Sequence, residues 1–309
     1  MKEKLVFVLI LTYNGKHLLK ECIESYLNNT YTNFKVIVID NASTDETKEY
    51  VEKEWSDVEV LRTDTDLKYS GGFNLGLRYA FEKHEADYVL ITNNDVKADN
   101  NIIKACVNKA EKDKMTGFVI GKVYYYDQPD TIQTCGRTFD EKNLRGKTIG
   151  LNEKDAGQYD KEALVPWCDD IFWLVNKDLY DVIGGYDTEF AFQGEDFDWQ
   201  FRAKKKGFKI YYTPEAKLWH KESMTIGKIS ATKAYYDFRN PLIVHMKHRA
   251  YEEFKYYFNQ KRKSLFVKTL KELFNLRVYY VLMCWKGFIS AMIWGLQHKK
   301  IRIINVILG

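Results

Sequence analysis

The chain has 309 residues, enough for one large domain or two smaller ones, and 45% of them are hydrophobic, which is ample for a buried core. Its five cysteines show no CxxC spacing, so the sequence favours reduced thiols and argues against a zinc site or a disulfide framework. The first apolar run, residues 5–11, is too short for a signal-peptide core, and the sequence therefore predicts a cytoplasmic protein.

The net charge of +4 is unevenly distributed along the chain. Residues 241–309 contain 13 Lys and Arg but only 3 Asp and Glu, whereas residues 1–240 are net acidic. Such an asymmetry indicates a basic tail that meets an anionic surface. Nucleic acid and anionic lipid are the two candidates for that surface.

Strand and helix patterns alternate through the first 125 residues, which is typical of a doubly wound, mostly parallel sheet. The predicted strands are residues 5–11, 36–39, 58–61 and 87–92, and the predicted helices are 16–29, 46–55 and 71–83. In such sheets ligands bind beyond the carboxyl ends of the strands. The polar residues that follow the strands are therefore expected to share one rim, and they are Thr12, Asn14, Asp40, Asp45 and residues 93–95.

The glycines at 71, 72 and 76 lie at the start of the third predicted helix. They either let a phosphate approach the backbone N–H groups or simply form a tight turn. Their spacing does not match the dinucleotide-binding fingerprint, and no phosphate-binding loop follows the first strand.

Two acidic clusters stand out. Asn93-Asn94-Asp95 directly follows a buried strand, where one carboxylate with two diphosphate oxygens and water can satisfy an octahedral Mg²⁺. A plain turn is the alternative for this cluster. Glu195, Asp196 and Asp198 fall within one helical turn, where mutual repulsion can raise a pKa and prepare a general base.

The second half of the chain is less regular. Residues 125–165 are polar with few periodic signals, which predicts a meander or a flexible flap. Order returns with a strand at 171–175, a helix at 196–206 and a strand at 208–212 that is expected to end before Pro214.

The tail contains residues 278–296, a run of 19 residues whose only charge is Lys286. This run is nearly long enough to cross a bilayer, but a central lysine disfavours insertion, and the Trp and Tyr side chains suit the headgroup region. A helix lying on the membrane surface is the preferred interpretation. Packing in the protein's own core or a homodimer interface, and a spanning helix, are the alternatives.

Taken in order, the motifs resemble the family 2 glycosyltransferases of the GT-A fold, and among them the bacterial rhamnosyltransferase branch. The resemblance covers about residues 4–250, and it rests on residues 12–14, 40–45, 72–76, 93–95, 185–187, 195–196 and 214–216 with His220. It implies a catalytic domain at 1–240, with a nucleotide-binding half up to about residue 125 and an acceptor half from 126. A basic, amphipathic helical tail at 241–309 follows.

The resemblance also implies a role for individual residues. Nucleotide and donor binding fall to Thr12, Tyr13, Asn14, Asp40, Asn74 and Asn94, and binding of Mg²⁺ or Mn²⁺ falls to Asp95, Asn93 and His220. Asp196 is the implied catalytic base with Glu195 beside it, and Trp199 and Arg202 support the site. Asn93 stands where the family's DxD motif has its first acid, which bears on metal affinity.

The implied reaction is an inverting transfer from a nucleoside-diphosphate sugar to a saccharide acceptor that is commonly lipid-linked. The branch favours dTDP-L-rhamnose as the donor, while a UDP-hexose or a UDP-N-acetylhexosamine stays open. The implied location is the inner face of the cell membrane, with no nucleic acid bound. A nucleotidyltransferase, a nucleic-acid-binding protein acting through the basic tail, and a membrane-spanning polysaccharide synthase are the alternatives from other classes.

Overall fold

The computed structural model describes residues 3–140, 145–221 and 230–298. Within them the predicted alternation of strand and helix is confirmed. The strands are β1 Val6–Thr12, β2 Phe34–Asp40, β3 Glu59–Arg62, β4 Tyr88–Thr92, β5 Val96–Ala98, β6 Thr116–Tyr125, β7 Gln128–Thr134, β8 Arg137–Asp140, β9 Arg145–Thr148, β10 Ala163–Leu164, β11 Phe172–Asn176 and β12 Lys209–His220. The helices are α1 Lys16–Leu27, α2 Thr47–Glu54, α3 Lys68–Arg78 with a π-helical turn Tyr79–Lys83, α4 Ile102–Ala110, α5 Lys177–Ile183, α6 Glu195–Lys205, α7 Ala231–His248, α8 Tyr251–Phe274 and α9 Val278–Gln297.

In the described chain ten of these strands form one mixed sheet in the order β10-β12-β6-β11-β4-β1-β2-β3, with β5 beside β12 and β7 beside β6. The strands β3, β2, β1 and β4 are parallel, so their carboxyl ends lie at one edge, whereas β11 runs antiparallel to β4 and β6. The doubly wound, mostly parallel sheet is therefore confirmed. Strands β8 and β9 pair in a separate small ribbon.

The core of the sheet explains why the first predicted strands were easy to recognise. Side chains on both faces of β1 are buried from Val6 to Ile10. Val6, Val8 and Ile10 join the hydrophobic cluster under α1 and α4, while Phe7 and Leu9 join the cluster under α3. Burial on both faces produces a continuous apolar run instead of an alternating one.

The glycines of α3 serve this packing. A Cβ on Gly76 would come within 2.7 Å of Ile39 and Leu9 side-chain atoms, and one on Gly72 within 2.5 Å of Leu11. The helix backbone therefore lies directly on the sheet at these positions, which accounts for both glycines without a bound phosphate.

Of the two alternatives predicted for residues 125–165, the meander agrees with the structure. The described part of this region contains the four strands β7 to β10, and the buried Lys122 fixes it by meeting Asp155 and Asp160 at 2.6 Å each. The prediction for the strand near Pro214 was wrong. Strand β12 does not end before Pro214. It continues to His220, because Pro214 lies in an irregularity between Tyr212 and Lys217 where pairing with β6 is interrupted.

The chain divides into two compact units: the first comprises residues 1–191 and 199–224, the second residues 192–198 and 225–309. The second unit is helical in its described part and includes the predicted tail, of which residues 299–309 lie outside the described residues. The predicted domain boundary at residue 240 stays a prediction.

Candidate active site

The carboxyl ends of β1, β2 and β4 bring together several of the predicted rim residues. Thr12 is in register with Asp40, and Asn94, two residues past β4, donates from Nδ2 to Thr12 Oγ1 at 3.0 Å. All three residues are buried. Parallel pairing thus places side chains from three separate segments at one edge of the sheet.

The turn after β1 is fixed to the turn after β2. Asn14 adopts a left-handed backbone conformation with φ of 51°, its N–H donates to Ser43 Oγ at 2.9 Å, and its Oδ1 accepts from the Thr44 N–H at 2.7 Å. Asparagine tolerates this conformation better than most residues. Tyr13, between these anchors, is 47% exposed, so its ring is the part of the motif available to a ligand.

Asp40 has no exposed surface, and its carboxylate is already bound. One oxygen accepts from the Ser43 N–H at 2.9 Å and the other pairs with the guanidinium of Arg62, which also donates to Ser43 O at 2.9 Å. Sequence reasoning missed Arg62, the last residue of β3. Asp40 therefore anchors the turn that follows it, and direct contact between Asp40 and a nucleotide stays a prediction.

Asp95 and His220 are brought together by the antiparallel pairing of β5 with β12, in which Val96 faces His220. Asp95 Oδ1 lies 3.3 Å from His220 Nε2, and both residues are more than nine-tenths buried. On its other side, His220 Nδ1 lies 3.0 Å from Gln133 Oε1. Because an amide oxygen only accepts, Nδ1 is the donor in this contact, which orients the ring so that Nε2 faces the Asp95 carboxylate.

A metal-binding histidine usually donates its second ring N–H to an acceptor of this kind. Gln133 therefore fits a supporting role that sequence reasoning missed, because it lies on β7 in the segment read as irregular. In the described chain no group of three His, Cys, Asp or Glu residues is arranged to hold a cation. One carboxylate and one imidazole suit a cation that takes its remaining ligands from a diphosphate and water. Asn93, the third predicted ligand, is half-buried, and its role as a ligand stays a prediction.

The side chain of Asn74 makes hydrogen bonds within the fold. Its Nδ2 donates to Tyr186 O and its Oδ1 accepts from the Tyr186 N–H, each at 2.8 Å. The predicted contact of Asn74 with the donor stays a prediction, and what the structure gives is a clamp on the Gly185-Tyr186-Asp187 turn.

Trp199 and Arg202 hold the same turn from another side. Trp199 is fully buried and donates from its indole N–H to Gly184 O at 2.8 Å, and Arg202 donates to Ile183 O and Gly185 O at 2.7 Å each. These contacts are consistent with the supporting role predicted for both residues.

Asp170 is a carboxylate that sequence reasoning did not single out, although two adjacent acids before an apolar strand were a usable signal. The β4–β11 register, continued by two residues, places it opposite Asn94, and the Asn93 N–H donates to Ile171 O at 3.2 Å. One oxygen of Asp170 is sealed from solvent with no hydrogen-bond partner among the described residues. Burial raises the pKa of Asp170 to about 6, with a smaller contribution from Asp169 and an opposing one from Tyr69. Such a group at a strand end is a candidate functional residue.

The acidic turn at 193–198 belongs to the second unit. Asp198 is fully buried, and its Oδ1 lies 2.6 Å from Lys247 Nζ and 2.7 Å from His248 Nε2, so it has a structural role. Glu195 is 5% exposed, whereas Asp196 is only half-buried. Asp196 is therefore the acid of this turn most accessible to a substrate.

The turn is also held through its backbone. Asn240 Nδ2 donates to Phe192 O at 2.8 Å and to Gln193 O at 2.6 Å. Sequence reasoning missed Asn240, Lys247 and His248 as partners of the acidic turn, because nothing local marks a contact across some fifty residues.

Comparison with known proteins gives a family. A family model described as Glycosyl transferase family 2 matches residues 7–183, more than half of the chain. The glycosyltransferase GlyG of Streptococcus pneumoniae serotype 4 is 25% identical over 187 residues, covering 59% of this chain and 60% of its own length. The chain therefore spans less than two thirds of that relative.

A second relative is the N-acetylglucosaminyl-diphospho-decaprenol L-rhamnosyltransferase of Mycobacterium tuberculosis, 24% identical over 243 residues that cover 73% of this chain and 78% of its own. Among solved structures, the mannosyltransferase of Pyrobaculum calidifontis in complex with GDP-Man and Mn²⁺ aligns with a TM-score of 0.57 and 15% identity, over 97% of this chain and 89% of that one. This likeness confirms the predicted GT-A fold. With the family model matched across most of the first unit, the chain belongs to glycosyl transferase family 2.

Proposed function

We propose that this protein is an inverting, metal-dependent glycosyltransferase that moves a sugar from a nucleoside-diphosphate donor to a saccharide acceptor. The observation that carries the proposal is the Asp95–His220 pair at the end of the parallel sheet, next to the Asn94–Thr12 hydrogen bond. Family membership supports a transferase and leaves the nucleotidyltransferase and nucleic-acid-binding interpretations without support.

Asp95 and His220 would hold Mg²⁺ or Mn²⁺, with Asn93 as a further oxygen ligand. A cation held there would supply positive charge to offset the negative charge on the departing diphosphate. Gln133 orients His220 for this role by keeping the proton on Nδ1. The Mn²⁺ in the mannosyltransferase structure supports a divalent cation without deciding between the two metals.

The nucleotide side of the site consists of Thr12, Tyr13 and Asn14 with the turn that Asp40 anchors. Tyr13 offers the exposed ring, and the cross-bonded turns keep the backbone groups around it in place. Asn94 faces the same end of the sheet, and Asn74 acts on the donor through the turn at 185–187 that it clamps.

Asp196 is proposed as the general base, with Glu195 beside it. It takes the proton of the acceptor hydroxyl while that oxygen forms a bond to the anomeric carbon. The bond from that carbon to the diphosphate oxygen breaks on the opposite face, and the nucleoside diphosphate leaves with the electron pair. One displacement of this kind inverts the anomeric centre.

We propose dTDP-L-rhamnose as the donor, because the mycobacterial relative is named as an L-rhamnosyltransferase. A UDP-hexose or a UDP-N-acetylhexosamine is the alternative. The acceptor is proposed to be a lipid-linked saccharide at the inner face of the cell membrane, which the basic composition of 241–309 supports.

A donor screen on the full chain, scored by release of nucleoside diphosphate with Mn²⁺ or Mg²⁺, tests the class and the donor together. Turnover of a UDP-hexose equal to or better than that of dTDP-L-rhamnose would overturn the donor. In Asp196→Asn we expect turnover to fall by about 10²–10⁴-fold with donor affinity unchanged by calorimetry. Loss of donor affinity in Asp196→Asn would show that the base lies elsewhere, with Glu195 as the next candidate.

A further inference from the structure

Exposed apolar side chains concentrate on the helical hairpin formed by α8 and α9. Six of them form one stripe along α9 at spacings of three and four residues: Val278, Leu282, Trp285, Ile289, Ile293 and Leu296, each 39–59% exposed. Phe266, Leu270 and Phe274 continue the apolar surface on α8. Soluble proteins rarely leave a contiguous apolar surface of this extent without a partner.

The opposite face of α9 is packed within its own unit. A Cβ on Gly287 would come within 2.1 Å of Tyr235 O, so the backbones of α7 and α9 are in direct contact there. Phe288 packs on Phe258 of α8 with ring centroids 5.4 Å apart. Val278–Gln297 is long and apolar enough to cross a membrane, yet 44% of its most apolar window is buried in the protein. A helix packed in this way offers one face to lipid, which favours a position on the membrane surface over a spanning one.

The charges around the stripe have one dominant sign. Arg262, Lys263 and Lys271 of α8 and Lys286 of α9 are exposed on the same hairpin. Glu272 is buried and paired with Arg277 at 3.1 Å, and the other acids of the described hairpin lie at the start of α8. A basic, apolar face complements an anionic lipid headgroup layer, whereas it would repel the same face of a second copy.

The tip of the hairpin is its most exposed apolar part. Phe274 is 90% exposed and Leu276 is 87% exposed. Leu276 also has a φ of 57°, a left-handed conformation that leucine rarely adopts. Leu276 occupies the position that ends α8, where the Arg277 N–H donates to Glu272 O at 2.9 Å, and its exposed side chain would gain free energy on burial in lipid.

We propose that the α8–α9 hairpin binds an anionic bilayer as a surface anchor, with the α9 stripe on the lipid and the tip residues Phe274 and Leu276 inserted among the acyl chains. The biological role of the anchor rests on the proposed function, because the enzyme would meet a lipid-linked acceptor at a membrane surface. Lipid binding itself is independent of catalysis and can be measured separately.

The test is flotation of the full chain with vesicles of phosphatidylcholine, with and without phosphatidylglycerol. The wild-type protein should float with the anionic vesicles. Alkaline carbonate should then release it from the vesicles into solution. The tip variant Phe274→Gln with Leu276→Asn should bind at least about tenfold more weakly. Asparagine accepts the left-handed conformation, so this variant is expected to fold, which circular dichroism checks.

Lys271→Gln with Lys286→Gln should lose roughly ten- to thirtyfold of the affinity for anionic vesicles and little for neutral ones. Val182→Gln, at an exposed apolar helix position of the first unit, is the matched control and should bind like wild type. The rate at which the donor is hydrolysed by water, measured as release of nucleoside diphosphate without a lipid-linked acceptor, should be unchanged in every variant. If no donor is turned over but vesicle binding follows this pattern, the proposed function fails and the anchor stands.

Three outcomes would overturn the anchor. The first is a wild-type protein that ignores anionic vesicles, and the second is a tip variant that binds as well as wild type or converts a wild-type dimer into monomers. The third is resistance to carbonate extraction, which would show that α9 spans the bilayer.

Discussion

Asp40 ends one buried, parallel strand and Asp95 lies three residues past another at the same edge of the sheet, yet their carboxylates have different partners. Asp40 is fully buried, and both of its oxygens are bound by Arg62 and the Ser43 N–H. Asp95 is 5% exposed, and the side chain that meets it among the described residues is the imidazole of His220 at 3.3 Å. A position after a strand therefore does not separate a structural carboxylate from a ligand-binding one, whereas the partners of the carboxylate do.

The largest expected effect tests this difference directly. Asp95→Asn should lower turnover by about 10³-fold or more with little change in the midpoint of thermal unfolding, because the amide keeps the shape of the side chain beside His220 but loses the charge that binds the cation. Asp40→Asn should instead lower the free energy of unfolding by roughly 2 kcal/mol, because Arg62 loses its buried partner. Urea unfolding and nucleoside diphosphate release check both variants.

Comparable loss of stability in both variants would remove the distinction between the two turns. So would full activity of Asp95→Asn, or turnover of the wild type that survives an excess of chelator.

Gln133→Ala sharpens the comparison at the metal pair. Without its acceptor, His220 loses the contact that keeps Nε2 available, so the affinity for Mn²⁺ should fall by about 10–100-fold while turnover at saturating Mn²⁺ stays close to wild type. The stabilisation of thermal unfolding by Mn²⁺ is the readout that does not depend on activity.

Gln128→Ala is the control for this experiment, since Gln128 lies exposed on the same strand. Equal Mn²⁺ affinity in Gln133→Ala and Gln128→Ala would show that the contact between Gln133 and His220 does not support metal binding.

The smallest effect concerns Asp170, a third carboxylate at this rim. Its pKa is raised to about 6 from an ordinary 3.8, so the folded state binds the proton more tightly, and stability should fall as pH rises from about 4 to 6. Asp170→Asn should therefore raise the free energy of unfolding by roughly 1–3 kcal/mol at pH 8 and change it little at pH 3.5 or below. Urea unfolding at the two pH values measures the difference.

Asp169→Asn is the matched variant for Asp170. Asp169 pairs with Arg137 at 2.9 Å, so its loss should destabilise the protein at pH 8 instead. If Asp170→Asn stabilised the protein equally at both pH values, burial would not be the cause of a raised pKa of Asp170.

The sequence predicted the parallel half of the sheet well because strands buried on both faces leave continuous apolar runs, as at β1 and β2. The shared rim followed from the rule that parallel strands end together, and the Thr12–Asn94 contact agrees with it. Local pattern and global fold agree in this half.

The rest could not be predicted because it depends on partners distant in sequence. Strand β12 passes Pro214 because the bulge there removes the need for the missing N–H donor. Arg62, Gln133 and Lys247 carry no local signal of the carboxylate or imidazole that each one meets. The roles of Asp196 and Glu195 stay predictions, since the structure gives their burial and not their substrate.

The second unit is assembled from two stretches of chain, and this has a consequence for chimeras and for evolution. Residues 192–198 are joined to the C-terminal helices by Asn240, Lys247 and His248. A recombinant that exchanges only the C-terminal segment would separate these partners and leave Asp198 buried beside foreign side chains. Substitutions in the seven-residue stretch and in α7 are therefore expected to be inherited together, and a functional graft of the helical unit must carry both pieces.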